Sequence, residues 1–243
     1  MAELTFPAHI LLTMALAFLP ALLWLWFWLK EDAHPEPRRE ILIVFLAGMG
    51  GVILAIILEN NFFAANRYFQ KLFGYSISYF QIFNIVGFAF FEEIVKTAAA
   101  FFTALKSRYF DEPVDAMIYL VAAALGFAAL ENALFIGEGL KSGLAQSVAI
   151  SAFRFTNAVL LHVSAAAIIG AGFAFSFFHK ERRLRELFIG LFFATLLHGF
   201  YNFFIIKSIG EGAENQIWIT SFVISGAVIA LVLFEKAKRA KMS

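Results

Sequence analysis

Cysteine is absent from the 243 residues. That removes disulfides, thiol nucleophiles, iron–sulfur clusters and thiolate zinc sites together. Proline is scarce at five residues, and charge is thin: 15% of the chain against roughly 25% in a soluble domain. With a net charge of +1 and no basic stripe able to track a phosphate backbone, nucleic-acid binding is excluded. Apolar residues fill the space instead, at 61%. They gather in uncharged runs of about twenty residues, which a soluble fold cannot hide and a bilayer accepts.

The runs predict an all-α, polytopic transmembrane bundle of about seven spans, with eight as the alternative. The start is not a cleavable signal: Met1–Phe6 contains Glu3 and no basic residue, and the apolar stretch from Pro7 to Leu29 is too long for an h-region. Further spans are predicted at Ile41–Phe63, Ser76–Leu105, Val114–Gly137, Arg154–Phe178, Leu184–Ile206 and Gln216–Phe234. Lys141–Phe153 reads either as an interfacial helix or as an early start to the fifth span. Placing the N-terminus outside puts 13 lysines and arginines on inner segments and 4 on outer ones. That bias matches the positive-inside rule and gives a cytoplasmic C-terminus. The whole chain, 1–243, reads as one integral membrane domain without internal repeats. Small-residue spacings such as Ala122/Gly126 and Gly170/Ala174 mark the fourth and fifth spans as the inner wall of the bundle, while the 32 phenylalanines read as lipid-facing or core filler.

Polar residues interrupt these runs: Glu92, Glu93 and Lys96 in the third span, Glu131 and Asn132 in the fourth, His162 in the fifth, His198 and Asn202 in the sixth. An ionised group at mid-membrane costs a few kcal/mol or more, so it persists only when paired, hydrated or needed. Counted at 1.5 Å per residue from the inner end of each span, Glu92, Glu93, Glu131, His162, His198 and Asn202 fall about 18–27 Å deep. Four helices of alternating direction thus deliver their polar groups to one layer, which reads as a single site. Lys96 lies four and three residues from Glu92 and Glu93 and shares a face with both. His198 and Asn202 are four apart, so the amide is placed to orient the imidazole or hold a water. Carboxylate, imidazole and amide together in a dry layer can activate a hydrolytic water. Glu59, Asp115 and Glu138 fall near span ends and read as interfacial. Arg154, at an outer rim, reads as snorkelling to headgroups, with Glu131 as its other available partner.

The usual intramembrane chemistries fail on missing motifs. HExxH, Gly-x-Gly-Asp and Gly-x-Ser-Gly are all absent, which leaves glutamate and histidine. Phe91-Glu92-Glu93-Ile94-Val95-Lys96 resembles the EExxK motif of the PrsW family of membrane proteases. Asp115 through Gly126-Phe127-Ala128-Ala129-Leu130-Glu131-Asn132 resembles its second block, Arg154 with His162 and Gly170 the third, and His198-Gly199-Phe200-Tyr201-Asn202 the last. The four blocks occur in family order over Phe91–Asn202, the motif-bearing core. Phe91 and Phe135 depart from the family pattern, which favours an acidic residue and a tyrosine at those places.

The resemblance, which extends distantly to CAAX prenyl endopeptidases, implies a glutamate-dependent protease of a prokaryotic inner membrane. Its substrates would be membrane proteins or peptides, such as an anti-sigma factor cut on the extracytoplasmic side. Glu92 or Glu93 would activate water. His198 with Asn202, and His162, would stabilise the oxyanion, and Glu131 would shuttle the proton or bind metal. Lys96, Asn132, Asn202 and Arg154 would support. Glu93, Glu131, His162 and His198 equally form a donor set for Zn²⁺ with an open position. Two other readings stay open at this stage: a scaffold that binds a partner helix, and a proton-coupled transporter.

Overall fold

A computed structural model describes residues 6–208 and 213–240; Glu3 lies outside them. It is all-helical: α1 (Phe6–Lys30), α2 (Arg38–Phe73), α3 (Ile77–Thr103), α4 (Asp115–Leu140), α5 (Leu144–Thr156), α6 (Ala158–Phe175), α7 (Arg183–Ser208) and α8 (Ala213–Lys238). Among the described residues six stretches are long and apolar enough to cross a membrane: α1, α2, α4, the α5–α6 pair, the 180–208 segment containing α7, and α8. The exception among the seven expected spans is α3. At 27 residues it is long enough to cross, but it carries Glu92, Glu93 and Lys96.

The fifth span is longer than its apolar run suggested. It begins at Leu144 rather than Arg154 and is broken at Asn157 into α5 and α6. Ser147 and Ser151 allow the early start, because small hydroxyl side chains pack close and bond backbone carbonyls. Ser147 donates to Ile136 O at 3.4 Å and Ser151 to Leu16 O at 2.8 Å, seating α5 on α4 and α1. Most of the 141–153 stretch is therefore helix, joined through the break at Asn157 to α6 in one candidate span. Helix α2 also runs past its expected end at Phe63, because nothing stops it before Gly74. That glycine adopts φ 66° and caps the helix by donating to Gln70 O at 2.8 Å. The resulting α2–α3 hairpin is pinned by a buried polar knot in which Asn66 donates to Asn84 Oδ1 at 2.9 Å and Tyr75 donates to Asn66.

Helices α4 and α6 form the inner wall, as the small residues predicted. A Cβ on Gly126 would lie 1.9 Å from Phe45 O, and one on Gly48 would lie 2.0 Å from Ala123 O. The two glycines interlock α2 with α4 at backbone contact. Gly126→Ala is expected to cost about 1–3 kcal/mol and lower the yield of folded protein. Gly50→Ala is the control, because a Cβ there meets nothing within 4 Å. Size-exclusion profiles of the two variants check this.

The loops assigned to the inside meet at one end of the bundle, the basic end. Tyr119 donates to Glu36, His34 pairs with Glu112 at 2.7 Å, Phe110 packs on Phe177, and Lys238 reaches Glu31 at 3.1 Å. Asp115 lies at its span end as expected, yet it is buried rather than hydrated and accepts the N–H groups of Asp111 and Glu112. Burial raises the Glu36 carboxyl above the usual carboxylate range, against the lowering effect of its bonds to Tyr119 and Asp115. The folded chain therefore holds this proton more tightly than the unfolded one. Its stabilising contribution is complete below the ordinary carboxylate value and is lost as pH rises through the raised one. The melting temperature is expected to rise between pH 7 and pH 5 by more in the wild type than in Glu36→Gln, which thermal unfolding of the two proteins measures.

Candidate active site

The motif-bearing helices place the predicted polar layer in one connected cluster. Glu92, Glu93 and Lys96 come from α3, Glu131 and Asn132 from α4, Arg154 from α5, His162 from α6, and His198 from α7. Glu93 and Lys96 are 0% and 1% exposed, and His162 and His198 are 2% each, so water screens their contacts poorly.

At the centre stands Glu93. Its Oε1 lies 2.6 Å from Lys96 Nζ and 2.7 Å from His198 Nδ1. Lys96 Nζ also lies 2.9 Å from His162 Nδ1, and His162 Nε2 lies 3.0 Å from Glu131 Oε2. Arg154 completes the chain, with Nη2 2.6 Å from Glu131 Oε2 and Nε donating to Asn132 Oδ1. The Arg154 guanidinium also stacks 4.2 Å over Phe135.

Donor counting fixes the imidazoles. An ammonium only donates, so His162 Nδ1 accepts from Lys96 and His162 Nε2–H donates to Glu131. A carboxylate only accepts, so His198 Nδ1–H donates to Glu93, and in the neutral imidazole His198 Nε2 then carries the lone pair. Facing that lone pair at 3.7 Å is Glu92 Oε2, a buried atom with no hydrogen-bond partner in the protein. The two adjacent glutamates thus differ in their bonding: Glu93 is tied through Oε1 to Lys96 and His198, with its Oε2 unpartnered, whereas the Glu92 carboxylate makes no hydrogen bond among the described residues and turns Oε2 toward His198.

Several expectations change. The imidazole of His198 is oriented by Glu93, because Asn202 makes no hydrogen bond to it among the described residues. Asn202 instead borders a cavity of about 500 Å³ with Glu131, Arg154, His162, His198 and Tyr201. Arg154 does not snorkel; it turns inward to Glu131 and Asn132. Glu138 is exposed and paired with Lys141, as an interfacial residue should be.

Two further residues stand beside the cluster. Tyr201 is buried beside the cavity. Glu59 is half-buried on the inward face of α2, one turn beyond Ala55, which packs with Phe127, and just before Phe62, which packs on Phe91.

The expected metal set also shifts. Ligand atoms of Glu92, His162 and His198 lie within 4.8 Å of one another, while Glu93 and Glu131 stand behind the imidazoles. The 3.7 Å between Glu92 Oε2 and His198 Nε2 suits two ligands of a tetrahedral ion at about 2.1 Å. His162 does not fit as it stands, since both its nitrogens are engaged.

Comparison with known proteins agrees with the motifs. The family model described as PrsW family intramembrane metalloprotease matches residues 36–234. The chain is 31% identical to Protease PrsW of Clostridioides difficile (strain 630), over 79% of this chain and 78% of that one. It is 29% identical to Protease PrsW of Halalkalibacterium halodurans, covering 79% and 81%, and 26% identical to that of Bacillus subtilis (strain 168), covering 74% and 76%. No solved structure matches significantly. With its four motif blocks joined in one buried cluster and its match spanning most of the sequence, the chain belongs to the PrsW family of intramembrane proteases.

Proposed function

We propose that this protease hydrolyses peptide bonds with a water held between Glu92 and His198. The observation that carries the reading is the facing pair Glu92 Oε2 and His198 Nε2, 3.7 Å apart, with the His198 ring bordering the cavity and Glu92 buried behind it. A water oxygen about 2.8 Å from each donates one hydrogen to each and turns a lone pair toward the cavity. Attack on the scissile carbonyl transfers that water's proton to Glu92, which then delivers it to the leaving amine. The imidazole hydrogens are already given to Glu93 and Glu131, so the oxyanion takes its hydrogen bonds from other donors on the cavity wall, the Asn202 amide and the Tyr201 hydroxyl. Glu93 and Glu131 hold the two rings, and Lys96 balances the charge.

The cavity joins this layer to Gln146 of α5 and Gln216 of α8 and is walled by Phe135, Ile150, Phe153 and Ile205. An extended peptide with a bulky apolar side chain beside the scissile bond fits such a wall. A proton-coupled transporter shares the broken fifth span, but the family membership and the paired acceptors favour hydrolysis. The substrate is a membrane protein of a prokaryotic inner membrane, cut outside the midplane, with the chain crossing seven times and the basic end in the cytoplasm.

The cysteine-free sequence makes the topology testable, because each introduced cysteine is the only thiol. A cysteine at Ser142 is expected to label from outside intact cells and one at Lys180 only after permeabilisation; the reverse pattern contradicts the orientation. For the chemistry, reporters with one apolar span and varied flanks, mixed with the protein in liposomes, are expected to be cut near the end opposite the basic loops. Cuts on the basic side, or none in any reporter, contradict the reading.

Arg154 is a positioning residue in this scheme, since it reaches His162 only through Glu131. Arg154→Met, which keeps the packing on Phe135, is expected to slow cleavage by about 10–100-fold. Arg154→Lys should recover part of the rate, and the rates of the three proteins on one reporter check this.

A further inference from the structure

The cluster contains a cation of its own. Lys96 Nζ stands 2.6 Å from Glu93 Oε1, 2.9 Å from His162 Nδ1 and 3.9 Å from Glu92 Oε2, and 5.0 Å from the centre of the Phe127 ring. Those ligands are the carboxylate and imidazole donors that a divalent metal takes. With Glu131 on the other nitrogen of His162, that ring has no lone pair to offer while the ammonium is in place.

We infer that Lys96 is the resident cation of this site, and that its ammonium and a divalent metal occupy the donors of His162 alternately rather than together. A metal on His162 Nδ1 must displace the ammonium into an apolar interior beside Phe127 and Val95, leaving a charge without its carboxylate. Two donors, Glu92 and His198, remain for the ion otherwise, and two make a weak site. Removing the ammonium frees a third. The inference rests on the site as read above but is measured without substrate, so an inactive chain is told apart from a metal-binding one.

The experiment titrates the purified full chain with Co²⁺, following its visible absorption, and measures zinc after equilibration and gel filtration. Lys96→Met is expected to bind one Co²⁺ at least about tenfold more tightly than the wild type. Adding His162→Gln should remove that gain. Equal affinity in the wild type and Lys96→Met, whether tight or weak, overturns the proposal. If Lys96→Met does not fold, the wild type decides alone: it should emerge from gel filtration without zinc, and one zinc per chain overturns the proposal.

Discussion

Glu92→Gln is expected to slow cleavage by about 10²–10⁴-fold, the usual contribution of a positioned general base, while the melting temperature of the purified protein stays within a degree or two of the wild type. The two halves of the expectation have separate causes. Rate falls because an amide cannot accept the proton of the attacking water. Stability holds because Glu92 Oε2 has no hydrogen bond in the protein to lose, and its distance from Lys96, 3.9 Å, is far looser than the 2.6 Å of Glu93. Reporter cleavage and thermal unfolding on the same preparation check both. A large loss of stability would mean that Glu92 is structural.

The neighbouring residue should behave in the opposite way. Glu93→Gln is expected to destabilise the protein by about 3–5 kcal/mol, because it leaves the Lys96 ammonium buried without its counter-charge and His198 without its acceptor. Activity should fall as well, through the loose imidazole. The double variant Glu93→Gln/Lys96→Met removes the stranded charge and is expected to regain a large part of the lost stability, although not the activity. Denaturation of the two single variants and the double in one detergent measures the coupling. Additive losses would show that the pair does not interact as its distance requires. Two adjacent glutamates that look alike in sequence are thereby separated, one by rate and the other by stability.

Much of this arrangement was legible before any coordinates. Apolar runs gave the helices, and the depth of Glu92, Glu93, Glu131, His162 and His198 placed them in one layer, because rise per residue is fixed and span ends are marked by charge. Gly126 could be read as a close-contact position from spacing alone. The sequence does not show side-chain direction. A step of about 100° between Glu92 and Glu93 shows that they diverge, not which one is bonded to Lys96 and His198 and which carboxylate is left without a hydrogen bond. Asn202, four residues from His198, was placed to orient its ring or hold a water; a carboxylate from another helix is the stronger acceptor and holds the ring. Arg154 was read as snorkelling because its span seemed to begin there. Once α5 extends that span back to Leu144, Arg154 lies inside, where Glu131 and Asn132 are within reach. Glu59 was read as interfacial from the end of its apolar run; α2 continues ten residues past Phe63, so the helix outlasts that run, and Glu59 is half-buried.

The most direct test compares the termini of membrane proteins in cells making either the wild type or Glu92→Gln, at matched levels and with insertion verified. The account predicts new chain ends close to the outer membrane boundary that occur with the wild type and vanish with Glu92→Gln. Identical sets of termini in the two cell populations would contradict it.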